Sequence, residues 1–347
     1  MSLSEITSSI TEGSQLSPEQ IASCVDALTS PDITPETKAD FLGHLSNRGE
    51  TAAEIGEFAK ILREKAVSVP LPDSLRNSST ILDVCGTGGD KLGTINVSTA
   101  VGLLAAAAGV HVAKHGNRAI TSKSGSADVL IALGIPIDLS PEEAAKSIVE
   151  HHFAFLFAPN YHPAFKHIVP ARKICAERGQ RTIFNFLGPL LNPAKPSAQL
   201  LGVSNANLTA HMAKALQGLG LQRAMVVSGQ VGDAVMDEIS IHGSTTIAEF
   251  YQNRGFSEST LDPSNFDLTP SQIEDLSGGD AEENAAMLRQ ILEGRDTGPK
   301  SEIVRINAAA ALFVASACDS MAAGWDLATE TIRSGKASAK LAELSGH

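Results

Sequence analysis

Apolar positions in the first seventy residues recur at helical spacing. Ser17-Pro18-Glu19-Gln20 has the form of a capping box with proline at the first helical position, and Ile21, Cys24, Val25 and Leu28 then share one face. Thr34-Pro35 starts another helix, and Thr51-Ala52-Ala53-Glu54 is a second capping box ahead of the stripe Ile55, Phe58, Ala59 and Leu62. Pro70 and Pro72 end the pattern, so residues 1–72 are expected to form a small helical domain.

Past residue 80 the period changes. Ile81–Val84, Val110–Ala113, Phe153–Phe157 and Ala224–Val227 read as buried strands, while Ser98–Ala108 and the segment capped by Ser140-Pro141-Glu142-Glu143 read as helices. Strands alternating with helices predict an α/β fold: the small N-terminal helical domain plus a large domain, 73–347, with a mostly parallel central sheet flanked by helices. Residues 255–300 are polar and acidic, with helices expected from Thr269-Pro270 and through Asn284–Leu292. Asn307–Ala323 and Leu327–Arg333 are expected to be packing helices, with Gly335 as a C-cap.

Composition narrows the class. Of 347 residues 43% are apolar but only 4% aromatic, so the core must be built from Ala, Leu, Ile and Val. A net charge of −12 disfavours nucleic acid and anionic lipid as partners, and any anionic ligand then needs a local basic cluster. Cys24, Cys85, Cys175 and Cys318 are widely spaced, which fits reduced thiols better than a zinc site or a disulfide framework. Val101–Ala113 and Ala308–Cys318 are shorter than the roughly 18 to 20 residues of a membrane span, and the N-terminus lacks a secretory pattern. A soluble, cytoplasmic chain with no membrane partner is expected.

Asp83-Val84-Cys85-Gly86-Thr87-Gly88-Gly89-Asp90 follows a strand and precedes a helix. Three glycines in four positions let the backbone turn sharply and offer amides to a ligand. The loop breaks the dinucleotide pattern at Lys91 and the Walker pattern at Thr94; alone, it is also compatible with a tight turn that binds nothing. Asn96-Val97-Ser98-Thr99 heads the next helix, where free amides and the helix dipole favour an anion, although plain N-capping needs only one of these side chains. Lys114-His115-Gly116-Asn117-Arg118 and Thr121-Ser122-Lys123-Ser124-Gly125-Ser126 supply charge and donors suited to phosphate; a solvated basic loop is the alternative. Both loops should leave the C-terminal edge of a parallel sheet, where ligands usually bind. Asp237-Glu238 suits magnesium, which favours a few carboxylates plus phosphates, although adjacent acids are also common on surfaces. His162 in a turn and Arg172 near a helix start are further candidates, the latter for a carboxylate.

Taken in order, these segments resemble the signatures of anthranilate phosphoribosyltransferases. Phe157-Ala158-Pro159, Arg181-Thr182-Ile183-Phe184-Asn185, Gly188-Pro189-Leu190, Asn192-Pro193-Ala194, Asp237-Glu238-Ile239-Ser240 and Asn307-Ala308-Ala309-Ala310-Ala311 fit the same order, and the likeness runs from Gly49 to Gly335. The resemblance implies that phosphoribosyl pyrophosphate is bound by Gly86, Gly89, Asp90, Thr94, Asn96, Val97, Ser98, Thr99, the run Lys114, His115, Gly116, Asn117, Arg118, Ala119, Ile120, Thr121 and Ser122, and Ser126. It assigns anthranilate to Gly86, Asn117, His162 and Arg172, and two Mg2+ ions to Ser98, Asp237 and Glu238. It also implies a helical domain joined by helices near 165–190 and a homodimer formed through it.

Lys91 stands where the family commonly has glycine, Phe165 where it commonly has methionine, and the loop Ser228–Met236 is longer than expected. The implied reaction is a displacement at C1 of the ribose with inversion, catalysed mainly by electrostatics and positioning, with no dedicated general base. Two other readings remain: a nucleoside phosphorylase of the same fold, and a non-catalytic relative that binds nucleic acid. The run Lys114–Arg118 argues against the first, and the acidic charge and the Asp237-Glu238 pair against the second.

Overall fold

Ser17 and Thr51 each accept a hydrogen bond from the third helical amide, and Gln20 and Glu54 reach back to the cap. They open α2 (Pro18–Thr29) and α4 (Ala52–Glu64); α1 (Leu3–Thr11) and α3 (Pro35–Arg48) complete an N-terminal helical unit in this computed structural model, which describes residues 2–119 and 123–346. The predicted stripes face inward: Ile21, Cys24, Val25, Leu28, Phe58, Ala59 and Leu62 are all buried. Their core is shared with Ile168, Ala171 and Cys175, from a segment more than a hundred residues later.

The larger unit is a mixed eight-stranded sheet in the order β3-β2-β1-β4-β5-β7-β8, with β6 paired to β5. β1 (Ile81–Gly86), β2 (His111–Gly116), β3 (Phe153–Phe157), β4 (Ala198–Gly202) and β5 (Arg223–Val231) run parallel. β6 (Ala234–Met236), β7 (Thr245–Tyr251) and β8 (Gly255–Leu261) are antiparallel. α5 (Asp73–Ser78) precedes β1, and α6 (Val97–Ala107) connects β1 to β2. α7 (Ser126–Ala132) and α8 (Pro141–His151) lead to β3; α9 (Ala158–Tyr161), α10 (Val169–Glu177) and α11 (Phe184–Leu187) lead to β4; α12 (Thr209–Gly218) leads to β5. α13 (Ala281–Leu292), α14 (Pro299–Val314), α15 (Met321–Arg333) and α16 (Lys336–Ser345) close the chain. Small residues let these helices approach one another and the sheet: Ala308–Ala311 on α14 are fully buried, and a side chain at Gly324 of α15 would strike the Ala309 backbone. No helix among the described residues is long and apolar enough to cross a membrane.

Several elements depart from the expectations. Residues 228–236 are not a long loop but the hairpin β5–β6, closed at Gly232 (φ 56°). Thr269-Pro270 starts no helix, because the Thr269 amide and hydroxyl both donate to the Glu302 carboxylate on α14. The chain there stays irregular until a 3-10 turn at Ile273–Leu276. The helix expected over Asn307–Ala323 instead starts at Pro299 and breaks after Val314, where Ser316 turns left-handed (φ 59°) and Ser320 caps α15. β8 went unpredicted because, as an exposed edge strand, it shows no apolar alternation.

Candidate functional site

The C-terminal ends of β1, β4 and β5 carry Gly86, Gly202 and Gly229, with Gly86 and Gly202 paired in register. Residues 237–240 lie across these ends. A Cβ at Gly86 would collide with the Asp237 carboxylate, one at Gly202 with the Asp237 carbonyl, and one at Gly229 with the Glu238 carbonyl and Ser240. The glycines therefore form a shelf that seats the acidic pair against the loop after β1. The Gly88 amide donates to Asp237 Oδ2 at 2.6 Å. Gly88 (φ 70°), Gly89 (φ 86°) and Gly93 (φ 66°) supply the left-handed turns that this loop needs. Lys91 adopts φ 63°, a region that favours glycine, which accounts for glycine's suitability there.

Asp90, Asp237 and Glu238 each offer an oxygen within 4.8 Å of the other two. Asp237 is buried, and burial together with the neighbouring Asp90 raises its pKa to about 6. Burial, then Asp237 and Asp90, raises the Glu238 carboxyl well above its usual range, and its Oε2 is buried without a partner among the described residues. Like charges converging on an unpartnered buried oxygen fit a divalent cation. The family resemblance assigns Asp90 to the sugar diphosphate alone, whereas its carboxylate lies with the acidic pair.

Ser98 lines the same cleft as Asp237 and Glu238. Its hydroxyl receives the buried Lys114 ammonium at 3.2 Å, which also donates to the Val84 carbonyl at 2.6 Å. Burial pulls the Lys114 pKa down, while Cys85, Asp83 and Glu238 push it back up. Val97 and Thr99 are buried and their amides donate to the Ile95 and Asn96 carbonyls at 2.8 and 3.1 Å, while the Thr99 hydroxyl has no hydrogen-bond partner among the described residues.

The second loop leaves β2 beside the first. Asp128 shapes it by accepting from Ala119 N at 3.1 Å and Gly125 N at 3.0 Å, and Gly125 must be glycine because the Ala119 and Arg118 backbones crowd it. Ser126 begins α7 at the loop's far end. Asn117 and Arg118 are exposed, and Arg118 pairs with Asp128 at 3.3 Å. Ile120, Thr121 and Ser122 lie outside the described residues.

A third segment, given no role from sequence, clasps the first loop. Thr94 bridges Ser277, Ile95 N–H donates to the Leu276 carbonyl, and Gly278 N–H donates to the Gly93 carbonyl. Buried Asn284 accepts from Gly279 N and donates to Asn96 Oδ1, while Asn96 Nδ2 donates to the Ser124 carbonyl. These bonds link α13 to both ligand loops.

His115 and His162 meet through their Nε2 atoms at 3.2 Å. Burial lowers them to about 3 and about 4, so both are neutral at pH 7. The ring contacts continue from His162 to Phe165, then Phe184, with the Arg172 guanidinium 5.7 Å from the Phe184 ring. Arg172 is half-buried and has no ion pair among the described residues. No hydrogen bond or ring contact among the described residues joins Arg172 to Asn117.

Comparison with known proteins agrees with this geometry. Residues 78–338 match the glycosyl transferase family, a/b domain, and residues 4–66 match that family's helical bundle domain. An anthranilate phosphoribosyltransferase of Acetivibrio thermocellus is 45% identical over 99% of this chain and 95% of its own length, and one from a Shewanella species is 43% identical over 96% and 94%. The crystal structure of the Thermus thermophilus enzyme of that name superposes with TM-score 0.88 at 39% identity, covering 98% of both chains. The Saccharomyces cerevisiae enzyme, in complex with PRPP and Mg, gives TM-score 0.84 at 28% identity over 98% of this chain and 97% of that one.

Proposed function

Since this chain belongs to the anthranilate phosphoribosyltransferase family, we propose that it transfers the 5-phosphoribosyl group of phosphoribosyl pyrophosphate to the amine of anthranilate, releasing pyrophosphate, in tryptophan biosynthesis. The observation that carries the proposal is the convergence of Asp90, Asp237 and Glu238 on the edge from which both ligand loops leave.

In this reading the diphosphate lies between the amides of the Gly86–Asp90 loop, the start of α6 and the second loop, from Lys114 to Ser126. Ser98, Asp237 and Glu238, with Asp90 beside them, hold two Mg2+ ions, which neutralise the charge that develops on pyrophosphate as it leaves. Lys114 fixes the Ser98 hydroxyl and adds positive potential beneath it. Arg172 and Asn117 bind the anthranilate carboxylate, and Gly86 and His162 border the path of its ring. The weakly basic aryl amine needs little activation and sheds its proton readily once bonded to C1, so the displacement runs without a dedicated base. Positioning and charge stabilisation then supply most of the acceleration.

The proposal extends to a helical domain of residues 1–72, joined by helices near 165–190, that pairs two copies into a cytoplasmic homodimer. Incubation with phosphoribosyl pyrophosphate, anthranilate and Mg2+ should release pyrophosphate and phosphoribosyl anthranilate in equal amounts, as the inverted anomer. Turnover confined to thymidine or uridine plus phosphate would instead identify a nucleoside phosphorylase, and a retained anomer would exclude direct displacement.

A further inference from the structure

The segment Asn307-Ala308-Ala309-Ala310-Ala311 stands out in the sequence but has no part in the chemistry above. Asn307 is only 2% exposed, and every hydrogen-bonding hydrogen and one acceptor position of its side-chain amide are in use. Its Oδ1 accepts from Ile239 N–H at 2.8 Å. Its Nδ2 donates to the Ile239 carbonyl at 3.0 Å and to the Ile303 carbonyl of its own helix at 2.9 Å. The amide thus grips both backbone groups of the residue that directly follows Glu238, and Asn307 lines the cleft that Asp237, Glu238 and Ser98 share.

We propose that Asn307 is a positioning residue for the metal-binding carboxylates, a role that rests on the metal reading above. Asp237, Glu238 and Asp90 repel one another, and a free loop would let them spread. Residues 237–240 are instead held from two sides. The shelf of Gly86, Gly202 and Gly229 lies against one side, and the Asn307 amide pins Ile239 from the other. Ala310 and Ala311, three and four positions on and therefore on the same helix face as Asn307, are small and fully buried, which lets α14 come close enough for a side chain as short as asparagine to reach that backbone. The site is in this way assembled with its carboxylates convergent.

The test is Mn2+ binding to the purified full-length protein, read as free Mn2+ by electron paramagnetic resonance, with the metal alone as probe. Asn307→Ala is expected to weaken Mn2+ binding by about tenfold, the scale on which outer partners of metal ligands act. The half-saturating Mg2+ concentration for turnover should rise by a similar factor while KM for anthranilate stays unchanged. Asn307→Ser, whose hydroxyl can bond the Ile303 carbonyl of its own helix but is too short to hold both Ile239 backbone groups, is the milder variant should the alanine fail to fold, and it should weaken Mn2+ binding as well. Leu28→Ala, in the helical core, controls for general destabilisation and should leave Mn2+ affinity at the wild-type value. Wild-type affinity in both folded Asn307 variants would overturn the positioning role and leave the metal reading intact. A wild-type protein that binds no Mn2+ would overturn the metal reading, and this inference with it.

Discussion

The Gly88 amide donates to the carboxylate of Asp237 across 149 residues of chain, at 2.6 Å. That bond ties the glycine-rich loop to the acidic segment and is possible only because Gly86 leaves room for the carboxylate. Gly86→Ala should therefore displace Asp237 rather than merely stiffen the turn. The expected outcome is a fall in kcat of about a hundredfold, the scale of a misplaced catalytic group, with a raised Mg2+ requirement. Steady-state kinetics across a Mg2+ series would check it.

Asp237 also predicts a pH effect with a definite sign. Its folded pKa of about 6 exceeds the ordinary 3.8, so its contribution to stability is fully present below 3.8 and is lost as pH rises through 6. In metal-free buffer, Asp237→Asn should gain stability over the wild type as pH rises from 4 to 7, by on the order of 2 kcal/mol at the plateau. Denaturant melts of both proteins with a chelator present measure the gap. With Mg2+ the wild type should recover, and its half-saturating Mg2+ should rise as protons compete below about pH 6.

The Asn284 side chain donates to Asn96, which in turn donates to the Ser124 carbonyl, and it accepts from Gly279 beside the Gly278–Gly93 bond. Asn284→Ala removes the side-chain tie to Asn96 without touching the carboxylates, and the backbone bonds from residues 276–278 to the first loop remain. It should raise KM for phosphoribosyl pyrophosphate by about tenfold, one buried hydrogen bond and its orphaned partner, and leave the Mg2+ requirement unchanged. Initial rates at varied substrate and fixed saturating Mg2+ separate the two effects.

Arg172 is joined to the sheet edge by the rings of Phe184, Phe165 and His162. If its guanidinium holds the anthranilate carboxylate, Arg172→Ala should raise KM for anthranilate by about ten- to a hundredfold, the worth of a charged hydrogen bond. KM for phosphoribosyl pyrophosphate should not move. Equal changes in both constants would place Arg172 elsewhere in the mechanism.

Features set by local sequence were legible. The capping serines and threonines, the inward stripes of the first helices, and the two loops after β1 and β2 each follow from neighbouring residues. What escaped depends on residues far apart in the chain. Asp90 joins Asp237 only once β1 and β5 are brought to the same edge. The shelf glycines Gly202 and Gly229 look ordinary until residues 237–240 lie across them. Asn284 and Asn307 sit inside helical patterns, where an isolated amide carries no local signal, and their partners lie 188 and 68 residues away. The strand β8 is obscured by polar side chains suited to the margin of the sheet.

Loss of anthranilate fluorescence over time bears most directly on the assignment. The signal should decay with protein, phosphoribosyl pyrophosphate and Mg2+ together, stay constant when either phosphoribosyl pyrophosphate or Mg2+ is left out, and stay constant for Glu238→Gln under the same conditions. Decay that persists unchanged with a chelator present, or in the Glu238→Gln protein, would contradict a metal-held sugar diphosphate at this sheet edge.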